Sequence, residues 1–276
     1  MEPKWLDVGF DNRRQKYIYH YTSAENFLTK ILPTGKIRLS PFSNTNDPYE
    51  FHDWNFGGES NAGSQINDNL YYQINDGLRD LKKLCSFISF STDSKRAYDT
   101  EIEGRGFADP QMWAHYSNRH SGVCLVFEKT NLVAGIKRSL KKQAQYFAAR
   151  KVVYKSISKP SAMNYIVDLD EASPLGSDLY SHKYFRNNLN DLVFKKHNAW
   201  KHEREFRILV VGKTENTFFE NINSSLVGII LVCKFAFRQS VDFEKMKETL
   251  TPNIFEMHWR NDSQMLFPVN PNIIRS

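Results

Sequence analysis

The segment of residues 199–211, A-W-K-H-E-R-E-F-R-I-L-V-V, constrains this chain most, because it combines a buried-strand pattern with two closely spaced glutamates. Its second half is rich in aliphatic residues, which favours a strand. Side chains alternate between the two faces of a strand. The alternation predicts one polar and one apolar face: Glu203, Glu205 and Arg207 against Phe206, Ile208 and Val210.

Two carboxylates on one face raise each other's pKa unless a cation or a ligand relieves them. This arrangement costs stability in a scaffold and is useful in a reaction site, so Glu205 and Glu203 are candidate catalytic residues. The alternative is a solvated edge strand, in which Glu203, Arg204, Glu205 and Arg207 form surface ion pairs.

The composition is that of an ordinary globular chain. The 276 residues suffice for a sizeable core, and 41% are hydrophobic and 25% charged. The aromatic content of 14% fits either a thick core or a nucleotide pocket. Cys85, Cys124 and Cys233 lie far apart in apolar runs, which indicates free thiols in a reducing compartment. The start, M-E-P-K-W-L, lacks a signal-peptide pattern and no apolar run could span a bilayer, so we expect a cytoplasmic protein without a membrane partner.

Residues 129–167 form a strongly basic segment that contains no Asp or Glu. Tyr146, Phe147 and Tyr154 are interleaved with its cations, as expected for a surface that binds phosphodiesters. The segment therefore predicts nucleic-acid binding through Lys141, Lys142, Arg150 and Lys151. The alternative is a solvated basic helix over residues 133–149.

Local patterns predict short strands and helices in alternation. Residues 17–22 form a strand in which His20 and Thr22 share the face of Ile18, and the three tyrosines share the opposite face. Thr22-x-x-Glu25 is a capping box for the helix that follows. Asn46-Asp47-Pro48 marks a turn. Further strands are predicted at residues 36–40, 84–91, 123–127, 151–155, 227–235 and 254–259, with helices at 70–83, 111–119, 179–198 and 241–250. The pattern predicts a single α+β domain over residues 1–276.

Several familiar chemistries are not indicated. The chain has no G-x-G-x-x-G, no P-loop, no H-E-x-x-H and no G-x-S-x-G motif. Histidine pairs such as His115/His120 are five residues apart, which is a poor spacing for a shared metal, so no metal is expected.

Five short motifs follow one another along most of the chain: Y-H-Y-T-S, N-D-P-Y-E, C-S-F-I-S-F-S, M-W-A-H-Y before G-V-C-L-V-F-E, and W-K-H-E-R-E-F-R. Together they resemble an uncharacterised bacterial domain family associated with phage defence. That family is similar in turn to remote members of the ADP-ribosyltransferase superfamily. The resemblance implies a split mixed/antiparallel β-sheet core with flanking helices.

The resemblance also implies NAD as the donor of ADP-ribose and gives roles to particular residues. A neutral His20 would hold the ribose on the nicotinamide side by donating a hydrogen bond. Tyr116 or Tyr98 would stack on nicotinamide, and Glu205 would bond the ribose 2′-hydroxyl, while Glu203 could position the nucleophile. The remaining expected cofactor-binding residues are Tyr21, Thr22, Asn46, Asp47, Ser89, Ser91 and Trp113. The alternatives are a core role for His20, packing for Tyr116 and Trp113, and turn chemistry for Asn46-Asp47.

We therefore expect an ADP-ribosyltransferase that modifies a macromolecule, nucleic acid rather than protein, as a bacterial toxin or phage-defence effector. A neutralising antitoxin or a chaperone is an expected partner. The alternatives are an NAD glycohydrolase and a non-catalytic nucleic-acid-binding or defence-sensor module.

Overall fold

A computed structural model describes residues 16–60, 68–94, 102–156, 165–215, 218–232, 234–235, 253–261 and 263–269. Tyr98, Cys233 and the helix predicted at residues 241–250 lie outside the described residues. Among the described helices, none combines the length and the apolar character needed to cross a membrane.

Helices and strands alternate in the first half of the described chain, as the sequence predicts, whereas from residue 195 onward the described elements are strands and one 3₁₀ turn. The strands are β1 Tyr17–Thr22, β2 Lys36–Pro41, β3 Gly57–Glu59, β4 Cys85–Ser91, β5 Val123–Glu128, β6 Ala144–Lys151, β7 Val153–Lys155, β8 Ile166–Asp168, β9 Lys195–His197, β10 Glu205–Gly212, β11 Phe218–Asn221, β12 Leu226–Val232, β13 Asn253–Arg260 and β14 Ser263–Pro268. The helices are α1 Ala24–Asn26, α2 Leu32–Thr34, α3 Pro48–Phe51, α4 Asp68–Lys83, α5 Pro110–Tyr116, α6 Lys129–Ser139, α7 Leu169–Leu175, α8 Ser177–Asn187 and α9 Leu189–Val193. A π-helical turn, Phe27–Ile31, joins α1 to α2, and 3₁₀ turns cover Phe42–Asn44 and Asn198–Glu203.

The main sheet is mixed. Its strands follow the order β11-β2-β4-β1-β5-β12-β13-β14, and β10 pairs with both β4 and β6. The β12/β13 pair is parallel and the other pairs of this sheet are antiparallel. The α+β prediction is therefore confirmed at the level of a mixed sheet with flanking helices.

The edge of β4 changes partner along its length, and this change opens the sheet. Its first half pairs with β2 at Ser86 and Phe87, whereas its last residue, Ser91, pairs with Tyr19 of β1. Between these contacts the β4 backbone has no strand partner on this edge within the described residues, so it needs other hydrogen-bond partners. The opening lies beside the first residues of β10, because Glu205 is the register partner of Ser91.

Three apolar clusters cover the faces of the sheet. Alternation along β1 places Ile18 in the cluster that contains the apolar residues Phe206 and Ile208 of β10. Tyr17, Tyr19 and Tyr21 pack in another cluster, with Trp113. The face assignment predicted for β1 is confirmed. The third cluster is built where the Ile74–Leu78–Leu81 stripe of α4 packs on the sheet.

Several predicted elements differ in the structure. The helix expected over residues 133–149 ends at Ser139, and the chain re-enters the sheet as β6. The helix expected at 179–198 is divided into α8, α9 and β9. The helix after β1 is capped by Ser23, whose Oγ accepts from Asn26 N at 3.1 Å, so the capping box at Thr22 is wrong. In the first two cases a favourable local pattern yielded to strand pairing with distant residues.

Candidate active site

A cleft of about 1130 Å³ opens where β4 changes partner. This volume is slightly above the range of about 300–1,000 Å³ that is usual for small-molecule sites. Most of the predicted catalytic and cofactor-binding residues line it: His20, Tyr21, Thr22, Asn46, Ser89, Ser91, Tyr116, Glu203 and Glu205. Residues more than 180 positions apart in the sequence, His20 and Glu205, therefore share one cavity.

Glu205 is the first residue of β10 and is almost completely buried at 3% exposure. Ser89 Oγ donates to its Oε1 at 2.5 Å, and Arg207 Nε donates to the same oxygen at 2.6 Å. Lys196 Nζ lies 3.0 Å from Glu205 Oε2. The backbone N–H of Glu205 donates to the hydroxyl of Tyr154 at 2.9 Å. The carboxylate is thus held in one orientation at the opening of the sheet.

Glu205 belongs to a buried charge cluster that includes three carboxylates and two cations. Arg207 Nη2 lies 2.5 Å from Glu50 Oε1, and Lys196 Nζ lies 2.9 Å from Glu203 Oε2 and 3.8 Å from Glu50 Oε2. The members of the buried charge cluster are Glu50, Lys196, Glu203, Glu205 and Arg207. With all five groups ionised its formal charge is −1, so the cations offset the repulsion expected between the glutamates.

These charges set the protonation states of the cluster. Burial would raise the pKa of Glu205, but the positive charges of Arg207 and Lys196 outweigh it and lower the pKa to about 2. Burial raises the pKa of Glu50, although the same two cations oppose the rise. Burial would lower the pKa of Lys196, but Glu205, Glu50 and Glu203 raise it above its ordinary value. Glu205 is therefore a fixed anion at neutral pH.

Glu203 lines the cleft, but it does so from a turn and not from the strand face that side-chain alternation predicts. It is the last residue of the 3₁₀ turn and not part of β10, and Arg204 between the two glutamates is left-handed at φ 47°. The hydroxyl of Tyr116 donates to Glu203 Oε1, and Asn46 Nδ2 donates to that hydroxyl at 3.1 Å. The placement of Glu203 on a strand face is wrong, yet its carboxylate shares the cleft with Glu205.

His20 fills the gap on the edge of β4. Its Nδ1 lies 3.0 Å from the backbone oxygen of Ser89, whose side chain contacts Glu205. Burial lowers the pKa of His20, and the hydrogen bond to Ser89 offsets part of this decrease. The ring is therefore neutral at pH 7. A carbonyl oxygen only accepts, so Nδ1 carries the proton and Nε2 is an acceptor. The ring would therefore accept a hydrogen bond from a ligand, whereas the sequence-based expectation was that it donates one.

The cleft also contains an unpaired polar group. Ser91 Oγ is buried at 1% residue exposure and has no hydrogen-bond partner among the described residues. Buried polar groups are nearly always paired, so this hydroxyl is suited to a ligand in the cleft. No group of His, Cys, Asp or Glu in the described ranges is arranged to hold a metal ion.

Two predicted cofactor residues do not line the cleft. Trp113 is fully buried in the apolar cluster, where its Nε1 donates to Phe107 O at 2.7 Å and its ring packs against Tyr21. Asp47 caps α3 by accepting from Tyr49 N at 3.0 Å. The observed contacts therefore match the alternatives given above, which are packing for Trp113 and turn chemistry for Asp47. Tyr21 lines the cleft, but its hydroxyl donates to Gly106 O on the apolar-cluster side.

The four predicted nucleic-acid-binding residues do not form one patch. Lys141 and Lys142 lie in the turn after α6, and Arg150 and Lys151 end β6, roughly 25 Å away at 3.3 Å per residue. Arg150 Nη1 donates to Asn190 Oδ1 at 2.5 Å. None of the four lines the cleft. Of the interleaved aromatic residues, Phe147 and Tyr146 pack against the apolar clusters, and the hydroxyl of Tyr154 accepts a hydrogen bond from Glu205 N.

Sequence reasoning missed two members of the buried charge cluster. Glu50 ends the N-D-P-Y-E motif, and the Asp47-Pro48 start of a helix could have placed it on the first turn, facing inward. Lys196 lies in β9, where no local pattern distinguishes it from the surrounding lysines. Its role depends on its distance to three glutamates, which only the fold supplies.

Part of the chain matches a known family model. Residues 112–208 match the family described as Protein of unknown function (DUF2971). The matched segment begins in M-W-A-H-Y and includes Lys196 and both glutamates of W-K-H-E-R-E-F-R, whereas His20 and Glu50 lie outside it. Comparison with curated proteins and with solved structures finds no match. The match fits the expected resemblance to an uncharacterised domain family. The association with phage defence and with ADP-ribosyl transfer stays a prediction.

The pKa of Glu205 predicts a specific acid sensitivity. A folded-state pKa of about 2, below the unfolded value of about 4.3, means that the charge of Glu205 stabilises the fold above pH 4.3. This contribution is lost as the pH falls from about 4.3 to 2. The raised pKa of Glu50 acts in the opposite direction, because protonation of that group favours the folded state. We therefore expect the difference in unfolding free energy between wild type and Glu205→Gln to shrink over this interval.

Urea unfolding of both proteins at half-unit steps from pH 2 to 6 measures this difference. A constant difference over the whole interval would show that Glu205 has an ordinary pKa in the folded state.

Proposed function

We propose that the protein is an ADP-ribosyltransferase that takes ADP-ribose from NAD and attaches it to a macromolecule, with nucleic acid as the acceptor. The observation that carries the proposal is the shared cleft: the fixed carboxylate of Glu205 and the neutral imidazole of His20 line one cavity and are bridged by Ser89. The resemblance implied these two residues as the pair that binds the nicotinamide-side ribose.

The cleft has features that suit a dinucleotide. Its volume of about 1130 Å³ accommodates a ligand of that size. It offers an unpaired buried hydroxyl at Ser91, an acceptor nitrogen at His20 and a fixed carboxylate at Glu205. Ribose hydroxyls donate and accept hydrogen bonds, so these groups match the sugar chemically.

Bound NAD would supply the ADP-ribosyl group, whose bond to nicotinamide breaks with the electron pair leaving on the nicotinamide nitrogen. Positive charge develops on the ribose ring as in glycoside cleavage. Glu205 would accept a hydrogen bond from the 2′-hydroxyl and stabilise this charge, and its own cations hold it in place beforehand. Glu203, paired with Tyr116, would position the acceptor and receive its proton.

The test is to incubate the protein with NAD labelled in the adenylate portion together with RNA, with DNA, or with cell lysate. Label on a nucleic acid supports the proposal. Free labelled ADP-ribose without labelled polymer would identify an NAD glycohydrolase, and unchanged NAD in every mixture would identify a non-catalytic module. A role as a toxin or phage-defence effector with a neutralising partner is part of the same proposal, and expression in a bacterial host with and without Glu205→Gln tests it by growth.

A further inference from the structure

The outer end of the cleft is cationic, and its cations come from outside the segment of residues 129–167 that the sequence singled out. Lys30 from the π-helical turn and Lys36 and Arg38 from β2 line this end, and all three are exposed. We call these residues the cationic rim. None of them forms an ion pair with a described residue, in contrast to Lys196 and Arg207 at the inner end.

An exposed aromatic side chain stands beside the cationic rim. Phe219 of β11 is 55% exposed, lines the cleft and is the register partner of Arg38. Register partners on antiparallel strands have their side chains on the same face. A large exposed ring next to unpaired cations has no packing role in the described fold, and it offers a flat apolar surface to a ligand.

The surroundings of the rim add little negative charge. Glu220, next to Phe219, points to the opposite face, where it is buried and accepts a hydrogen bond from Ser139 Oγ. This contact brings the end of α6 against β11, and the exposed Lys137 and Arg138 precede Ser139. The end of α6 therefore lies on the face of the sheet opposite the cationic rim, with Leu132 and Ile136 packed against Ile37, and its cations are not part of the rim.

We propose that a single-stranded nucleic acid binds along β2, with its phosphates at Lys30, Lys36 and Arg38 and one base stacked on Phe219. Cations that follow a groove together with an exposed aromatic ring are the features with which proteins bind single strands. Ser40, Arg38 and Lys36 alternate along one face of β2 at intervals of about 7 Å and all line the cleft. A strand bound along them would run from the outer surface toward the inner end, where Ser89 and Glu205 lie.

This inference deepens the proposed function and rests on it for the fate of the bound strand, although not for binding itself. The rim suits a polymer better than NAD alone, because its cations extend from the π-helical turn over several residues of β2 to the exposed ring of Phe219. Charge alone would also attract an acidic peptide, but such a peptide has no base to stack on Phe219.

The test is fluorescence anisotropy with a labelled single-stranded oligonucleotide of mixed sequence, without NAD, between 50 and 300 mM salt. Each phosphate contact contributes a slope of about 0.7 to the logarithmic salt dependence for single strands. The triple variant Lys30→Gln, Lys36→Gln and Arg38→Gln should therefore lower that slope by about 2 and weaken binding. Phe219→Ala should weaken binding roughly 5- to 150-fold, the range for one base–aromatic stack, with little change in the slope.

A matched control carries the same three charge changes on another surface, at Arg79, Lys83 and Lys183, and should bind as wild type does. Unlabelled polyglutamate of equal charge should compete poorly. Wild-type affinity in the triple variant, or equal competition by polyglutamate, overturns the inference. Glu205→Gln should retain oligonucleotide binding, so loss of NAD turnover and loss of nucleic-acid binding are distinguished.

Discussion

Replacement of Glu205 by Gln should lower NAD turnover by about 10²- to 10³-fold, as expected when one preorganised electrostatic contact to a developing charge is lost. The substitution keeps the shape of the side chain but removes the negative charge, and it replaces one accepting oxygen by an amide nitrogen that donates. Ser89, Arg207 and Lys196 all donate to this carboxylate, so the amide NH₂ group of the variant would face other hydrogen-bond donors. The measurement is the steady-state release of nicotinamide, with NAD affinity determined separately by calorimetry.

Glu220→Gln is the matched control for this prediction. Glu220 is also a buried carboxylate that accepts from a serine hydroxyl, but it does not line the cleft. We expect the control to retain wild-type turnover. Circular dichroism at the assay temperature shows whether each variant is folded. A folded Glu205→Gln protein with normal turnover would remove the catalytic assignment of Glu205 and with it the proposed mechanism.

Replacement of Arg207 by Met should lower the free energy of unfolding by about 3–5 kcal/mol, which is the usual cost of breaking a buried ion pair. Arg207 is fully buried at 0% exposure and donates to Glu205, Glu50 and Val193 O. Its removal would leave three buried carboxylates with Lys196 as their remaining cation in the buried charge cluster. Urea unfolding at pH 7 measures the change.

Arg150→Met provides an unusually close control, because Arg150 is the register partner of Arg207 on β6. It carries the same charge on the same sheet but is exposed, so we expect a change of less than about 1 kcal/mol. The double variant Arg207→Met/Glu50→Gln should recover part of the loss, since one unpaired carboxylate is removed together with its cation. Equal effects of Arg207→Met and Arg150→Met would mean that the buried charge cluster contributes little to stability.

The functional consequence of the cluster follows from the same contacts. A carboxylate that is buried without cations becomes protonated, whereas Glu205 has a pKa of about 2 because Arg207 and Lys196 adjoin it. Of the ion pairs that the sequence offered as an alternative to chemistry, the Glu205–Arg207 pair is present but buried, whereas Glu203 pairs with Lys196 and Arg204 with Asp109. Pairing and a reaction role are compatible here, since the cations keep Glu205 charged and in one orientation at the cleft.

The strands and the long helix were predictable because their signals are local. The period-2 pattern of residues 17–22 and the apolar runs at 84–91 and 123–127 identify β1, β4 and β5, and the apolar stripe identifies α4. The helix considered over residues 133–149 of the basic segment extends too far for the same reason, because its signal is also local. The composition of this segment suits a helix, but residues 144–151 pair with β10 in the sheet, where Tyr146 and Phe147 are half-buried against the apolar clusters.

Much of the candidate site was also identifiable, since His20, Ser89, Ser91, Tyr116 and Glu205 lie in recognisable motifs and share the cleft. Trp113 and Asp47 lie in equally recognisable motifs but serve packing and capping. A motif shows that a residue is constrained, and only its environment shows whether the constraint comes from the fold or from a ligand.

The sequence by itself determined the local elements, the face that each residue of β1 presents and the presence of two glutamates before a buried strand. Tertiary structure alone decided that these glutamates are neutralised from elsewhere: Glu50 lies 157 positions from Arg207, and Lys196 comes from a separate short strand. The physical reason is that backbone periodicity extends over a few residues, whereas the Coulomb interaction depends on distance in space. Which charges become neighbours is therefore a property of the folded sheet and of the opening where β4 changes partner.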